Sequence, residues 1–284
     1  MDDLFSAKNP QDSSYCRLRD DKRLDDRKSF CESLWVNFHE LADSNFIKEL
    51  GDNFNTRFWE MYLGAAFRKI GFNPTSADSG PDLEIDSDTK TIWVEAHAAK
   101  AGTTDDRAYG VTNGTRGVPV DKILLRLRNS ISKKYLEDYR KYISDETIGP
   151  DDPYVIAING YDIPSSGGDS FPTYIMQAVF GIGNGYGIIN KETGKIIEQG
   201  YRPRTEIPKT RGAPVTATVF EDENYSGISA ILYSRASVGN GPDDLGTDFQ
   251  LVYNPLAKNP LPKNWIKIGL EIWATEKNIE HLQW

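Results

Sequence analysis

The stretch FNTRFWEMYLGAAFRKIGFNPTSADSGPDLEIDSDTKTIWVEAHAAK, Phe54 to Lys100, places three acidic residues where burial disfavours a carboxylate. Glu60 falls inside a helical pattern, Asp82 follows Gly80-Pro81, and Glu95 interrupts an otherwise apolar run. Asn53 to Thr56 offer capping side chains, Trp59, Leu63, Ala66 and Ile70 recur at helical spacing, and Gly71 stops the pattern. A helix over Phe54 to about Ile70 is therefore predicted, with something packed closely against Gly64 and Ala65. After Gly71 the period becomes two. PDLEID and TIWVEAHA read as strands joined through the turn SDTK.

Twelve residues lie between Asp82 and Glu95, which suits two antiparallel strands of one hairpin and brings the carboxylates together. Alternation puts Trp93, Glu95, His97 and Ala99 on one face and Ile92, Val94, Ala96 and Ala98 on the other. Glu95 and His97 then point the same way, about 7 Å apart. Carboxylates held this close resist ionising together unless a cation sits between them. A hard divalent ion such as Mg²⁺ takes one or two carboxylates, keeps several waters and orients a phosphate.

Working outward, residues 1 to about 21 read as a polar lead without periodicity. Phe30, Leu34, Phe38, Leu41, Phe46 and Leu50 predict one or two helices before residue 50. A loop from Ala101 to Gly117 leads into a helix from about Val120 to Tyr142, with Ile123, Leu124, Leu127, Ile131, Tyr135, Tyr139 and Tyr142 as its apolar stripe. DDPYVIAING reads as a buried strand, and FPTYIMQAVFGIGNG as a short helix closed by Gly181. The remainder is strand and turn: YGIINKETGKIIEQG, VTATVF, GISAILYS, FQLVYNP and WIKIGLEIWAT. GIGNGYG lacks the strand-loop-helix context of a phosphate loop and reads as a turn. The expected fold is α/β (mixed α+β), with a central mixed sheet flanked by helices. Its parts are a helical extension over 1–52, a core over 53–180 and a strand-rich portion over 181–284.

The formal charge of −9 excludes a protein coated in basic residues. Locally the balance reverses: Val120–Tyr142 carries seven Lys/Arg against three Asp/Glu, and Tyr201–Arg211 four against one. Two cysteines make neither a disulfide framework nor a zinc site, and the acidic, polar start is unlike a signal peptide, so the expected compartment is the cytoplasm.

Taken singly, Glu60 reads as a solvated helix residue paired with Arg57 or Lys69, Asp82 as a turn residue, and His97 as a satisfied strand histidine. Their joint order says more. Glu60 in RFWEMYLGAAFRKIGF, Pro81-Asp82 in SGPDLEI and Glu95-Ala96-His97 in IWVEAHAAK resemble the PD-(D/E)XK nuclease superfamily, the restriction-endonuclease-like fold, over about Phe54 to Asn159. The resemblance implies a Mg²⁺-dependent nuclease, with Mn²⁺ as substitute, acting on DNA in restriction or another defence role. It implies Asp82, Glu95 and the carbonyl of Ala96 as metal ligands, and Glu60 on a second ion or a water. His97 stands where the superfamily usually has Lys; some members take that lysine from the following helix, which here offers Lys133 and Lys134. Lys100, Lys122, Arg126, Arg202 and Arg204 are the expected nucleic-acid contacts. No base-reading motif separates DNA from RNA. A homodimer would suit double-strand cleavage. The alternative is a binding or scaffold protein of the same fold whose metal site has decayed at His97.

Overall fold

The computed structural model describes residues 3–76, 79–87, 90–110, 117–276 and 278–284. The middle of the predicted SDTK turn and part of the Ala101–Gly117 loop lie outside them. The N-terminal lead, aperiodic in sequence, nevertheless contains helix α1 (Ser13–Asp20), of which only Tyr15 and Leu18 are buried. Two apolar positions in eight residues are too few to show a period. What starts α1 is Asp12, whose Oδ1 accepts from the Ser14 and Tyr15 N–H groups at 2.8 and 3.2 Å.

Helices α2 (Asp25–Phe38) and α3 (Phe46–Asp52) follow, then α4 (Phe54–Lys69). The Asn53 side chain makes no cap bond. The second oxygen of Asp12 does instead, accepting from Phe54 N–H at 3.1 Å. One carboxylate thus caps two helices. Gly64 lets α2 approach, since a Cβ there would meet the Phe38 ring at 2.7 Å. Gly71, at φ +98°, ends the helix as its position predicts.

Strands β1 (Pro74–Thr75), β2 (Leu83–Asp86) and β3 (Thr91–Ala98) form an antiparallel meander. Helix α5 (Val120–Lys133) crosses over to β4 (Tyr154–Asn159), parallel to β3. The predicted helix to Tyr142 is not one regular element. After Lys133 come a π-helical segment, Lys134–Tyr139, and a short α6 (Arg140–Ser144). Helix α7 (Tyr174–Val179) ends before Gly181. GIGNGYG is no free turn: it opens β5 (Ile182–Ile189), which pairs with β6 (Ile196–Pro203) as a separate ribbon. VTATVF is mostly not strand: only Val215–Thr216 pair, as β8 against β7 (Glu206–Ile207), and Val219–Glu221 form a 3₁₀ turn.

Strands β9 (Ala230–Ser234), β10 (Gln250–Tyr253), β11 (Leu270–Ala274) and β12 (Ile279–Gln283) complete one eight-stranded mixed sheet in the order β1-β2-β3-β4-β9-β10-β11-β12. Helices cover both faces. Val94, Val155 and Ala157 belong to the core beneath α1–α4, while Trp93, Ile156 and Ile158 belong to the core beneath α5 and α7. Period-two alternation in the neighbouring strands β3 and β4 therefore feeds two cores, as expected where a sheet is buried on both sides.

Candidate active site

The β2–β3 register pairs Leu83 with Val94 and Glu84 with Trp93, so its continuation sets Asp82 opposite Glu95. There the ladder opens. In place of a strand bond, Asp82 Oδ2 accepts from Ala96 N–H at 2.7 Å. The N–H and C=O of an extended residue leave the same strand edge, so the Ala96 carbonyl also faces the Asp82 side. Glu60 comes from α4 on the opposite face and is held by Arg57 Nη1 at 2.6 Å. Arg57 also pairs with Glu49 and, at 3.3 Å, with Asp43.

From the other face, Lys134 Nζ donates to Glu95 Oε1 at 2.5 Å and pairs with Asp138 at 2.9 Å. Tyr142 O–H donates to Glu95 Oε2 at 3.2 Å. Glu95 is 4 % exposed. A cleft of about 840 Å³ joins these groups, and Lys100, Arg126, Asn129 and Lys133 also line it.

The charge states follow from this geometry. Burial, then the neighbouring Asp82, push the Glu95 carboxyl up to about 7 against the pull of Lys134. The same two causes push Glu60 up to about 8 against Arg57. Asp82 keeps some contact with the cleft, yet protein surrounds it closely enough that lost solvation raises its pKa despite the Ala96 N–H. Burial opposes the Lys134 ammonium, but Glu95 and Asp138 hold its pKa above the ordinary lysine value. His97 is held neutral, its pKa lowered to about 4 by burial and then by Lys134 and Lys133.

The structure thus gathers Glu60, Asp82, Glu95, Ala96, His97, Lys100, Arg126, Lys133 and Lys134 around one cleft. Lys122, Arg202 and Arg204 lie outside it. Lys122 ties Asp105, Asp106 and Thr210 together, Arg204 pairs with Asp121, and Arg202 is exposed on β6. Two contributors were missed as site groups: Arg57, signalled only by its i−3 spacing to Glu60, and Tyr142, which reads as part of an apolar stripe. Asn254 has a structural role, donating to the Tyr225 and Ile228 carbonyls at 3.2 and 2.8 Å.

Among the described residues, no three His, Cys, Asp or Glu side chains gather into a self-sufficient metal site. Two carboxylates and a carbonyl on one open edge are nonetheless the hard oxygen donors that suit a largely hydrated Mg²⁺. No family model, curated protein or solved structure matches the chain. No helix among the described residues is long and apolar enough to cross a membrane.

Proposed function

We propose that this protein is a Mg²⁺-dependent nuclease of the PD-(D/E)XK type that hydrolyses phosphodiester bonds in DNA. The carrying observation is the mutual placement of Asp82, Glu95 and Lys134: two inward carboxylates across an open hairpin edge, with a lysine from the following helix 2.5 Å from one of them. Lys134 stands in for the lysine that His97 replaces.

In this reading Asp82, Glu95 and the Ala96 carbonyl would hold the ion, which when bound would offset phosphate charge and acidify a water. Lys134 moves its charge from Glu95 toward the scissile phosphate, where negative charge develops. Neutral His97, two residues along the same face, accepts a proton from the attacking water. The water oxygen bonds to phosphorus as the bond to the leaving oxygen breaks. Lys100 and Arg126 contact the backbone phosphates on either side, and Glu60 would orient a water while protonated or, on losing its proton, hold a second ion.

The test is incubation of the purified chain with plasmid, linear duplex and single-stranded DNA, and with RNA, in Mg²⁺ or Mn²⁺. Cleavage of at least one DNA substrate is expected, and its loss in Asp82→Ala and Glu95→Ala. Cleavage that survives both substitutions ends the assignment. A second reading, a binding or scaffold protein, draws on the Arg57–Glu60 and Lys134–Glu95 pairs, which already offset charge on two carboxylates. It requires that calorimetry detect no Mg²⁺ or Mn²⁺ uptake.

A further inference from the structure

The β5–β6 ribbon leaves the body of the protein and carries Ile188, Ile189, Ile196 and Ile197 near its tip, between 47 % and 66 % exposed. Three of them are more exposed than any other large apolar side chain described. On β5 the adjacent Ile188 and Ile189 lie on opposite faces, so both faces of the tip carry an isoleucine, and on β6 a bulge leaves Ile197 without a cross-strand partner. A two-stranded hairpin is marginal by itself, and clustered exposed apolar residues mark a contact surface. Between them the turn carries Lys191, Glu192 and Lys195, a net positive charge.

At the base of the ribbon lies a trough of about 1170 Å³, walled on the other side by β11 and β12. Phe171, Tyr186, Tyr201 and Trp273 give it aromatic faces; Phe171 contacts both Tyr201 and His281, with ring centroids 6.3 and 4.6 Å apart. Its charged groups are Glu221, Glu276 and Glu280, and no Lys or Arg among the described residues lines it. Such a trough repels phosphates and attracts an apolar segment bearing lysines. The ribbon tip is such a segment, but it cannot fold back into the trough formed by its own base.

We infer that the β5–β6 ribbon is a dimerisation arm whose tip seats in the aromatic, acidic trough of a second copy of this chain. Two ribbons crossing about a two-fold axis place each tip over the other's base, so the two unlike patches are each used once. Strands of roughly 25 Å span that reach. The trough lies at the β12 edge of the sheet, far from β2 and β3, so the cleft stays open in the dimer.

Sedimentation equilibrium of the full chain from about 1 to about 100 µM, a range that brackets micromolar association, should show the mass rising to twice that of the chain. Replacing the cross-strand pair Ile189→Lys and Ile196→Lys should weaken association at least about ten-fold with an unchanged circular dichroism spectrum. Lys191→Glu/Lys195→Glu and Glu221→Lys/Glu276→Lys should each be monomeric alone, while an equimolar mixture should form a heterodimer in which every arm meets a trough of opposite charge. A wild-type chain that remains monomeric overturns the proposal and frees the tip for a different protein. A wild-type dimer indifferent to the tip substitutions, or a mixture that stays monomeric, overturns it equally.

Discussion

At the scale of single residues the candidate site turns on Lys134. Its neighbour Lys133 lines the same cleft, but among the described residues Lys134 is the one of the two that pairs with a carboxylate. That contact has two consequences of opposite sign. It neutralises Glu95 where burial and Asp82 disfavour its ionisation, and it competes with a metal ion for Glu95 Oε1. Lys134→Met is therefore expected to lower the cleavage rate by roughly 10²–10³-fold, the range for removing one preorganised charge from a transition state. Mn²⁺ affinity measured by calorimetry should hold or rise in the same variant. Lys133→Met should change the rate less than about ten-fold, the scale of a peripheral phosphate contact. Equal losses in the two variants would place the lysine role on neither. Arg57 is the counterpart on the other face: its one guanidinium is shared among Glu60, Glu49 and Asp43, so it offsets the Glu60 charge only in part.

At the scale of elements, α4, β2 and β3 were legible because each announces itself locally: a 3.6-residue stripe, a period of two, and a separation that fits one hairpin. The convergence of Asp82 and Glu95 follows from that separation alone. The choice between Lys133 and Lys134 was not legible, because it depends on how α5 is rotated against the sheet, and the π-helical segment over Lys134–Tyr139 changes the phase of the residues that follow, Tyr142 among them, where the sequence reads as one regular helix. Segments of this kind recur at functional sites, where they re-aim side chains. Here the helix directs both Lys134 and Tyr142 onto Glu95. The cap of α4 was illegible for another reason: it comes from Asp12, 42 residues upstream, not from Asn53. Because Asp12 caps α1 and α4 together, Asp12→Ala should destabilise the protein by about 2 kcal/mol, the sum of two ordinary caps. Asp12→Asn, which keeps an accepting oxygen, should recover at least half of that in a denaturant titration. A loss under about 0.5 kcal/mol for Asp12→Ala would show that neither cap matters.

At the scale of the whole molecule, the site opposes the fold that builds it. The sheet and both cores bury Glu95 and crowd Glu60 and Asp82 around it, so all three carboxyls have pKa values raised above their unfolded ones. A raised acid favours folding while protonated, and the native state then holds more protons than the unfolded chain. Stability consequently falls as pH rises from the unfolded carboxylate range through the folded values of about 7 for Glu95 and about 8 for Glu60. His97 acts oppositely: its folded pKa of about 4 lies below that of an unfolded histidine, so its contribution grows with pH and levels off about one unit above the unfolded value of about 6.5. Between about pH 6.5 and 8 the carboxylates dominate, the remaining gain from His97 being about 0.4 kcal/mol. Over that window the metal-free protein should lose about 2 kcal/mol, a fall of a few degrees in melting temperature. Saturating Mg²⁺ should flatten the slope by stabilising the ionised carboxylates, and Glu60→Gln should remove the larger part of it. A melting temperature that is level or rising over this window without metal would mean that the three acids are not coupled in the folded protein, and the case for a shared cation would go with it.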